Sequence, residues 1–186
     1  MTNTKSMDVR QMALVGMMSA VLCILGPLSL PIGLVPISLG SLGVYFIAYV
    51  LGSRRAVASC LVYLILGLVG LPVFSGFSGG AGKLFGPTGG YLIGYLFTAA
   101  ICGWFVEHFP GKRALHALGM VLGTAVLYLI GTVWLAVQAH MGAAAALAAG
   151  VTPFLLGDCV KIAAALIVGP IVRKRLAVAG LTESLR

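Results

Sequence analysis

The chain of 186 residues is 60% hydrophobic and only 9% charged, and its mean hydropathy is +1.10. Soluble domains carry about 25% charged residues, so this composition excludes a water-soluble globule. The net charge of +8 does not indicate a nucleic-acid-binding protein, because Lys and Arg stand in short clusters between apolar runs and not along one helix face. Long unbroken apolar runs are typical of a helical membrane protein.

Six apolar segments follow one another along the chain, and each is about as long as a membrane-spanning helix. They cover about residues 12–30, 32–51, 56–71, 89–106, 115–137 and 153–172. Gly26-Pro27 and Pro31 separate the first two segments and predict a tight turn or a helix kink. The sequence therefore predicts an all-α integral membrane protein, with six transmembrane helices in a single domain over residues 1–186.

The basic residues predict how the helices are oriented. If six spans are crossed, ten basic residues fall on one side of the membrane: Lys5, Arg10, Arg54, Arg55, Lys112, Arg113, Arg173, Lys174, Arg175 and Arg186. The loops on the opposite side contain only Lys83. Cytoplasmic loops are enriched in Lys and Arg, so both termini are predicted to lie in the cytoplasm.

The predicted outer loop, residues 72–90, is rich in glycine and phenylalanine. Seven of the sixteen residues 75–90 are glycine, and Phe74, Phe77 and Phe85 accompany them. Glycine lets the backbone approach a ligand closely, and phenylalanine provides apolar walls. The loop is therefore predicted to form a lid over a small, flat, partly polar molecule. A flexible connecting loop is the alternative interpretation.

Asp158 and Lys161 are charged residues inside the sixth apolar segment. They stand three residues apart, so on a helix they share a face and can pair. Counting from the outer end of that segment, they lie roughly 7 Å and 12 Å deep. Ionisable residues within a membrane are candidates for function, so the pair predicts a polar floor for a pocket that opens outward. A structural ion pair that locks helices together is the alternative.

Gly16 and Ala20 form a small-xxx-small pattern in the first segment. Such a smooth patch packs either within the bundle or against a partner helix. The His, Cys, Asp and Glu residues show no spacing typical of a metal site, and no nucleophile stands with a base on one side of the membrane. Neither a metal, a cofactor nor a catalytic residue is therefore predicted.

Three motifs together resemble those of the BioY family, the biotin-specific substrate-binding subunits of energy-coupling factor (ECF) transporters. They are Gly70-Leu-Pro-Val-Phe-Ser75 with the glycine cluster after it, Gly86-Pro-Thr-Gly-Gly-Tyr91, and Phe154-Leu-Leu-Gly-Asp-Cys-Val-Lys161. The resemblance covers essentially the whole chain. It implies an S-component-like bundle in a prokaryotic plasma membrane that captures biotin and has no enzymatic activity of its own.

The resemblance also implies roles for individual residues. Asp158 is expected to accept hydrogen bonds from the ureido group of biotin, and Lys161 or Lys83 to meet its carboxylate. The walls and backbone contacts of the site are expected to come from Phe74, Phe77, Tyr91, Gly89 and Gly90. The expected partners are membrane lipid, a transmembrane coupling protein and two ATP-hydrolysing subunits, with no nucleic acid. Family members carry an Ala-x-x-x-Ala docking patch, and here Gly16 replaces its first alanine while Ala20 matches its second.

Two other functions stay open on the sequence alone. The chain could be a stand-alone facilitator or channel for a small molecule. It could also be an intramembrane enzyme acting on lipid or prenyl substrates, with Asp158 as the acid or base. The enzyme is the weaker alternative, because the other acidic residues, Asp8, Glu107 and Glu183, lie in predicted cytoplasmic segments.

Overall fold

A computed structural model describes residues 9–31 and 35–180. Within these residues the chain forms eight helices and one short β-hairpin. The elements in chain order are α1 (Val9–Leu25), β1 (Ser29–Leu30), β2 (Ile37–Ser38), α2 (Gly40–Leu51), α3 (Ser53–Leu68), α4 (Ala81–Leu84), α5 (Gly89–His108), α6 (Arg113–Gln138), α7 (Ala143–Gly150) and α8 (Leu155–Val178).

Helix α2 lies at the centre of the bundle. Ten of its twelve residues are buried, and it packs against α1, α3, α5 and α8. At 1.5 Å per residue α2 is only about 18 Å long, well short of the roughly 30 Å hydrocarbon core of a bilayer. The short β-hairpin precedes α2, and Ser38 of β2 accepts a hydrogen bond from the backbone N–H of Gly40, the first residue of α2, over 2.8 Å.

The hairpin corrects the predicted boundaries of the first two spans. The first was expected to run to residue 30, but α1 ends at Leu25 and residues 29–30 form β1. The second was expected to begin at residue 32, but residues 37–38 form β2, which pairs antiparallel with β1, and α2 begins only at Gly40. Residues 32–34, where that span was expected to begin, lie outside the described residues. Pro31 follows β1 and Pro36 precedes β2, and each lacks the backbone N–H that a helical hydrogen bond requires, so both favour a break in the helix here.

Helices α5 and α6 form the most extensive contact between elements. Glycine residues permit their close approach: a Cβ atom on Gly90 would lie 2.3 Å from Cβ of Trp134, and one on Gly94 would lie 2.7 Å from Leu127. Helix α3 packs against α1 on one side and α5 on the other. Helix α8 contacts α2 chiefly and α6 less extensively, so a cleft forms between these three helices.

Three helices, α5, α6 and α8, are long and apolar enough to cross a membrane, and α1 and α2 are shorter apolar helices. The chain is thus a multi-pass membrane protein, while the count of six spans stays a prediction. The extreme termini, which were predicted to be cytoplasmic, lie outside the described residues. The predicted cytoplasmic loops do meet at one end of the bundle, because Arg113 and Arg173 line one cavity there and Arg55 lies within electrostatic range of Arg173.

Candidate functional site

The predicted pairing of Asp158 with Lys161 is present in the structure. Both residues lie near the beginning of α8, and Nζ of Lys161 donates to Oδ1 of Asp158 over 2.9 Å. Both are buried, with 5% and 7% of their surfaces exposed. Asp158 belongs to the first turn of α8, where the positive end of the helix dipole stabilises a carboxylate.

Two residues from other helices complete the hydrogen bonding of this pair. The hydroxyl of Tyr128 on α6 donates to Oδ2 of Asp158 over 2.6 Å. On α2, Oγ of Ser41 accepts from Nζ of Lys161 over 3.0 Å and donates to Oδ1 of Asp158 over 3.4 Å. The pair therefore connects α8 with both α2 and α6. This is the geometry of a structural ion pair that holds helices together, which was the alternative interpretation of the sequence.

The ion pair faces a narrow cleft beneath the hairpin. Two adjoining cavities of about 50 and 40 Å³ make up this cleft. Both are lined by residues from the hairpin segment and α5: Val35, Pro36, Ser38, Tyr91 and Tyr95. The first cavity also includes Ser41, Leu127, Tyr128, Phe154, Asp158 and Lys161, and the second Tyr63, Ser75, Thr88 and Leu92. Each holds only a few water molecules, so neither cavity as it stands has room for a ring-sized ligand.

Comparison with known proteins assigns the family. A sequence model of the BioY family matches residues 1–178. This chain belongs to the BioY family.

Individual relatives agree with that assignment. The chain is 35% identical over 161 residues to "Biotin transporter BioY2" of Lactococcus lactis subsp. cremoris, covering 87% of each chain. It is 38% identical over 162 residues to "Probable biotin transporter BioY" of Pyrococcus horikoshii, covering 87% of this chain and 95% of that one. A crystal structure of the S-component for biotin from an ECF-type ABC transporter has a TM-score of 0.83 and 31% identity, covering 94% of this chain and 95% of that one. The fold is that of an S component.

Tyr91, in the first turn of α5, is the predicted wall residue that lies at the cleft in this BioY-family structure. Its ring lines both cavities, and its hydroxyl donates to the carbonyl oxygen of Gly150 over 3.0 Å. A second contact, to Oγ1 of Thr132, spans 3.3 Å. These contacts fix the Tyr91 side chain of α5 against α6 and α7, so its ring can form a cleft wall of fixed orientation.

The expected phenylalanine walls lie elsewhere. Phe74 is fully buried, and its ring packs edge-on against Tyr63 with ring centroids 5.4 Å apart. Phe77 is 66% exposed and has a φ of 54°. Neither residue lines the two cavities. In this conformation the cleft is walled by tyrosine and proline instead.

The expected glycine and lysine contacts also differ from the observed arrangement. A Cβ atom on Gly89 would collide with the carbonyl oxygen of Leu84, and Gly90 abuts Trp134, so both glycines serve close packing. Lys83 lies on α4, partly buried, and lines neither cavity. Of the two candidate lysines, Lys161 alone is in the cleft.

The predicted docking residues lie on the outer face of α1. Gly16 and Ala20 are exposed, and a Cβ atom on Gly16 would meet no other atom within 4 Å. The buried residues of α1 are on its other side, among them Leu14, Met18 and Leu22. The small-residue patch therefore does not pack within the described part of the chain.

The sequence prediction missed Ser41 and Tyr128, which hold the ion pair. A signal for Ser41 exists in the spacing of Ser41, Tyr45 and Tyr49, which are four residues apart and so share one face of α2. The Tyr45 hydroxyl lies 2.6 Å from Oγ1 of Thr124, and the Tyr49 hydroxyl lies 2.9 Å from Nδ1 of His116. This face carries a polar stripe along the length of α2, with Ser41 at the cleft.

Proposed function

We propose that this chain is the biotin-capturing subunit of an ATP-driven vitamin uptake transporter in a prokaryotic plasma membrane. The observation that carries the proposal is the buried Asp158–Lys161 pair, which faces the cleft of an S-component fold. The relatives that are named biotin transporters support the choice of vitamin.

The chemistry of the cleft suits the two polar ends of biotin. The ureido group presents N–H donors, and Asp158 is the ionised acceptor in the cleft; hydrogen bonds to an ionised group are stronger than neutral ones. Lys161 provides the matching cation for the valerate carboxylate, since Lys83 lines neither cavity. Nζ of Lys161 lies 2.9 Å from Oδ1 of Asp158, whereas the ureido and carboxylate groups stand at opposite ends of biotin, so Lys161 must leave Asp158 to reach the carboxylate.

The residues around the pair can hold Asp158 in place when Lys161 leaves it. The Tyr128 hydroxyl holds Oδ2 of Asp158, and Ser41 contacts both members of the pair. These groups keep the carboxylate oriented while Lys161 turns toward the ligand. Tyr91 and Tyr95 supply flat apolar surface for the fused rings, as aromatic side chains do in small-molecule sites.

Energy for transport comes from other chains in this proposal. The partners are a transmembrane coupling protein and two ATP-hydrolysing subunits, with the exposed Gly16 and Ala20 face of α1 as the contact with the coupling protein. The chain itself acts as a binding subunit and not as an enzyme.

Calorimetric titration of the detergent-purified protein tests this function. We expect saturable binding of biotin and no detectable binding of riboflavin or thiamine at the same concentrations. Proteoliposomes that contain this protein alone should retain biotin binding but show little biotin flux. Binding of another vitamin in place of biotin would contradict the choice of ligand, and rapid flux without partners would favour a stand-alone facilitator.

A further inference from the structure

A second, larger pocket lies at the basic end of the bundle, opposite the ligand cleft. Its volume is about 490 Å³, and it opens between the beginning of α6 and the last turns of α8. The residues that line it are Tyr49, Pro110, Gly111, Arg113, His116, Pro170, Arg173, Lys174 and Ala177. Neither the cleft nor the α1 patch includes any of them.

Three cations line the pocket, and none of them has an acidic partner among residues 9–31 and 35–180. Arg113, Arg173 and Lys174 line it together. Among the residues that the structure describes, the ion pair within 4 Å joins Lys161 to Asp158. No described carboxylate oxygen therefore lies within 4 Å of the side-chain nitrogen atoms of Arg113, Arg173 or Lys174. Cations that converge on one cavity without a counter-charge form a site for an anion.

The back of the pocket is polar but already satisfied. Phe109 has a carbonyl oxygen that only accepts, so Nε2 of His116, 2.8 Å away, carries a hydrogen and donates to it. In the neutral ring, Nδ1 then accepts from the Tyr49 hydroxyl over 2.9 Å. Since these groups satisfy each other, an incoming anion is met by the arginine and lysine side chains.

The surfaces next to the pocket are apolar. Farther along the same two helices from the pocket residues, exposed apolar side chains follow: Leu118, Val121 and Leu122 on α6, and Ile167, Val168 and Ile171 on α8. A ligand with an anionic head and hydrocarbon tails matches this combination, whereas a free anion uses only the basic part. Basic pockets between helices at the cytoplasmic surface are typical sites for anionic lipid headgroups.

We propose that this pocket binds the phosphate group of an anionic phospholipid from the leaflet that faces the basic end of the bundle. Arg113 and Arg173 make the principal contacts with the phosphate, because a guanidinium donates in a planar fork that suits phosphate oxygens. Lys174 adds a third positive charge. The site is independent of the vitamin that the cleft binds.

Native mass spectrometry of the full-length protein in detergent tests the proposal, with dioleoyl-phosphatidylglycerol and dioleoyl-phosphatidylcholine as probes. We expect preferential binding of phosphatidylglycerol. Each basic residue near a membrane surface contributes about fivefold in affinity for anionic lipid, so the double variant Arg113→Gln/Arg173→Gln should bind it on the order of tenfold or more weakly. The matched control, Arg54→Gln/Arg175→Gln, removes two exposed charges near the same end but outside the pocket, and should bind nearly as the parent protein does.

Two further measurements distinguish a lipid from a free anion and test the role of charge. Millimolar inorganic phosphate should fail to displace the lipid; displacement would identify a free anion as the ligand and overturn the lipid assignment. The variant Arg113→Lys/Arg173→Lys keeps both charges but loses the guanidinium forks, so it should bind more weakly than the parent protein and more tightly than Arg113→Gln/Arg173→Gln, provided that circular dichroism and gel filtration show a folded protein. Complete loss in that folded variant would contradict a site based on charge.

Other outcomes would overturn the proposal directly. Equal losses in the pocket variant and its control would show that net charge alone attracts the lipid. Unchanged lipid binding together with lost copurification of a coupling protein would identify the pocket as a protein contact.

Discussion

An ionised carboxylate is stable inside a membrane bundle only when donors replace the water that it has lost. Asp158 has three such donors: Nζ of Lys161, the hydroxyl of Tyr128 and, at a longer distance, the hydroxyl of Ser41. Because each donor comes from a different residue, replacement of one donor weakens the hydrogen bonding of Asp158 and leaves its charge in place. Tyr128 is the informative position, since its hydroxyl makes the shortest of these contacts.

Replacement of Tyr128 by phenylalanine should lower both stability and biotin affinity. The change keeps the ring but removes the 2.6 Å donor to Asp158, and loss of a hydrogen bond to a charged group costs about 1.5–3 kcal/mol. Tyr45→Phe is the control, because the Tyr45 hydroxyl is bonded to the neutral Thr124 and not to Asp158. The unfolding temperature should fall for Tyr128→Phe. Calorimetry should show a reduced affinity for biotin in Tyr128→Phe and not in Tyr45→Phe. Equal affinities in the two variants would contradict a positioning role for Tyr128.

Charged residues of the cleft were predictable from the sequence, and their neutral partners were not. Asp158 and Lys161 stand out because charges are rare in apolar segments. Tyr128 does not stand out, and the spacing of Ser41, Tyr45 and Tyr49 indicates a polar face of α2 without showing that Ser41 contacts the ion pair. The roles of Ser41 and Tyr128 depend on the register between α2, α6 and α8, and that register follows from packing across the whole bundle.

The α5–α6 contact shows how a motif can serve packing. Gly90 belongs to the Gly86-Pro-Thr-Gly-Gly-Tyr91 motif and was expected at the ligand, yet it lies against Trp134 and the carbonyl oxygen of Ile130. The sequence could not distinguish the two roles, because both require a residue without a side chain. Only Tyr91 of the motif's last three residues lines the cleft.

Gly90→Ala should therefore destabilise the bundle. Its added methyl group would lie 2.3 Å from Cβ of Trp134, and overpacking of this kind costs about 1–3 kcal/mol. Gly82→Ala is the matched control, since a Cβ atom there meets nothing within 4 Å. The unfolding temperature in detergent should fall for Gly90→Ala and stay unchanged for Gly82→Ala. An unchanged temperature for both would mean that α5 and α6 are not closely packed at this position.

The outer face of α1 is proposed as the contact with the coupling protein. Gly16→Leu/Ala20→Leu adds bulk to this face without disturbing the buried side of the helix. We expect loss of copurification with co-expressed transporter partners and unchanged biotin binding by the isolated subunit. Ala163→Leu makes a similar change on an exposed position of α8 and should leave copurification intact. If only the Ala163→Leu variant lost its partners, the contact with the coupling protein would lie on α8 and not on α1.

The hairpin was not predicted from the sequence. Residues 29–38 are apolar apart from two serines, so their composition resembles that of a transmembrane helix. Pro31 and Pro36 were the available signal, but proline also occurs at kinks in membrane helices. Two short strands with one partner each gain little from pairing alone. Ser38 also ties the hairpin to its neighbours, because its hydroxyl donates to the carbonyl oxygen of Gly26, just after α1, and accepts from the backbone N–H of Gly40 at the beginning of α2, each over 2.8 Å.

At the scale of the whole molecule, the two ends of the bundle differ in charge and in opening. One end has the small cleft with its ion pair, and the other has the basic pocket. Charge placement in the sequence predicted this polarity, because clusters of Lys and Arg alternate with apolar segments in a regular order. The small volume of the cleft was not predictable, since it depends on how residues of the hairpin segment, α5, α6 and α8 pack around it.

Side-by-side biotin titration of the parent protein, Asp158→Asn and Glu107→Gln tests the central claim most directly. Both variants replace a carboxylate by an amide, but Glu107 is exposed at the basic end, where it accepts from the backbone N–H of Ser53. Hydrogen bonds to charged groups contribute about 1.5–3 kcal/mol, so Asp158→Asn should bind biotin ~10–100-fold more weakly. Glu107→Gln should bind as the parent does. Native affinity in a folded Asp158→Asn protein would contradict the assignment of the cleft as the biotin site.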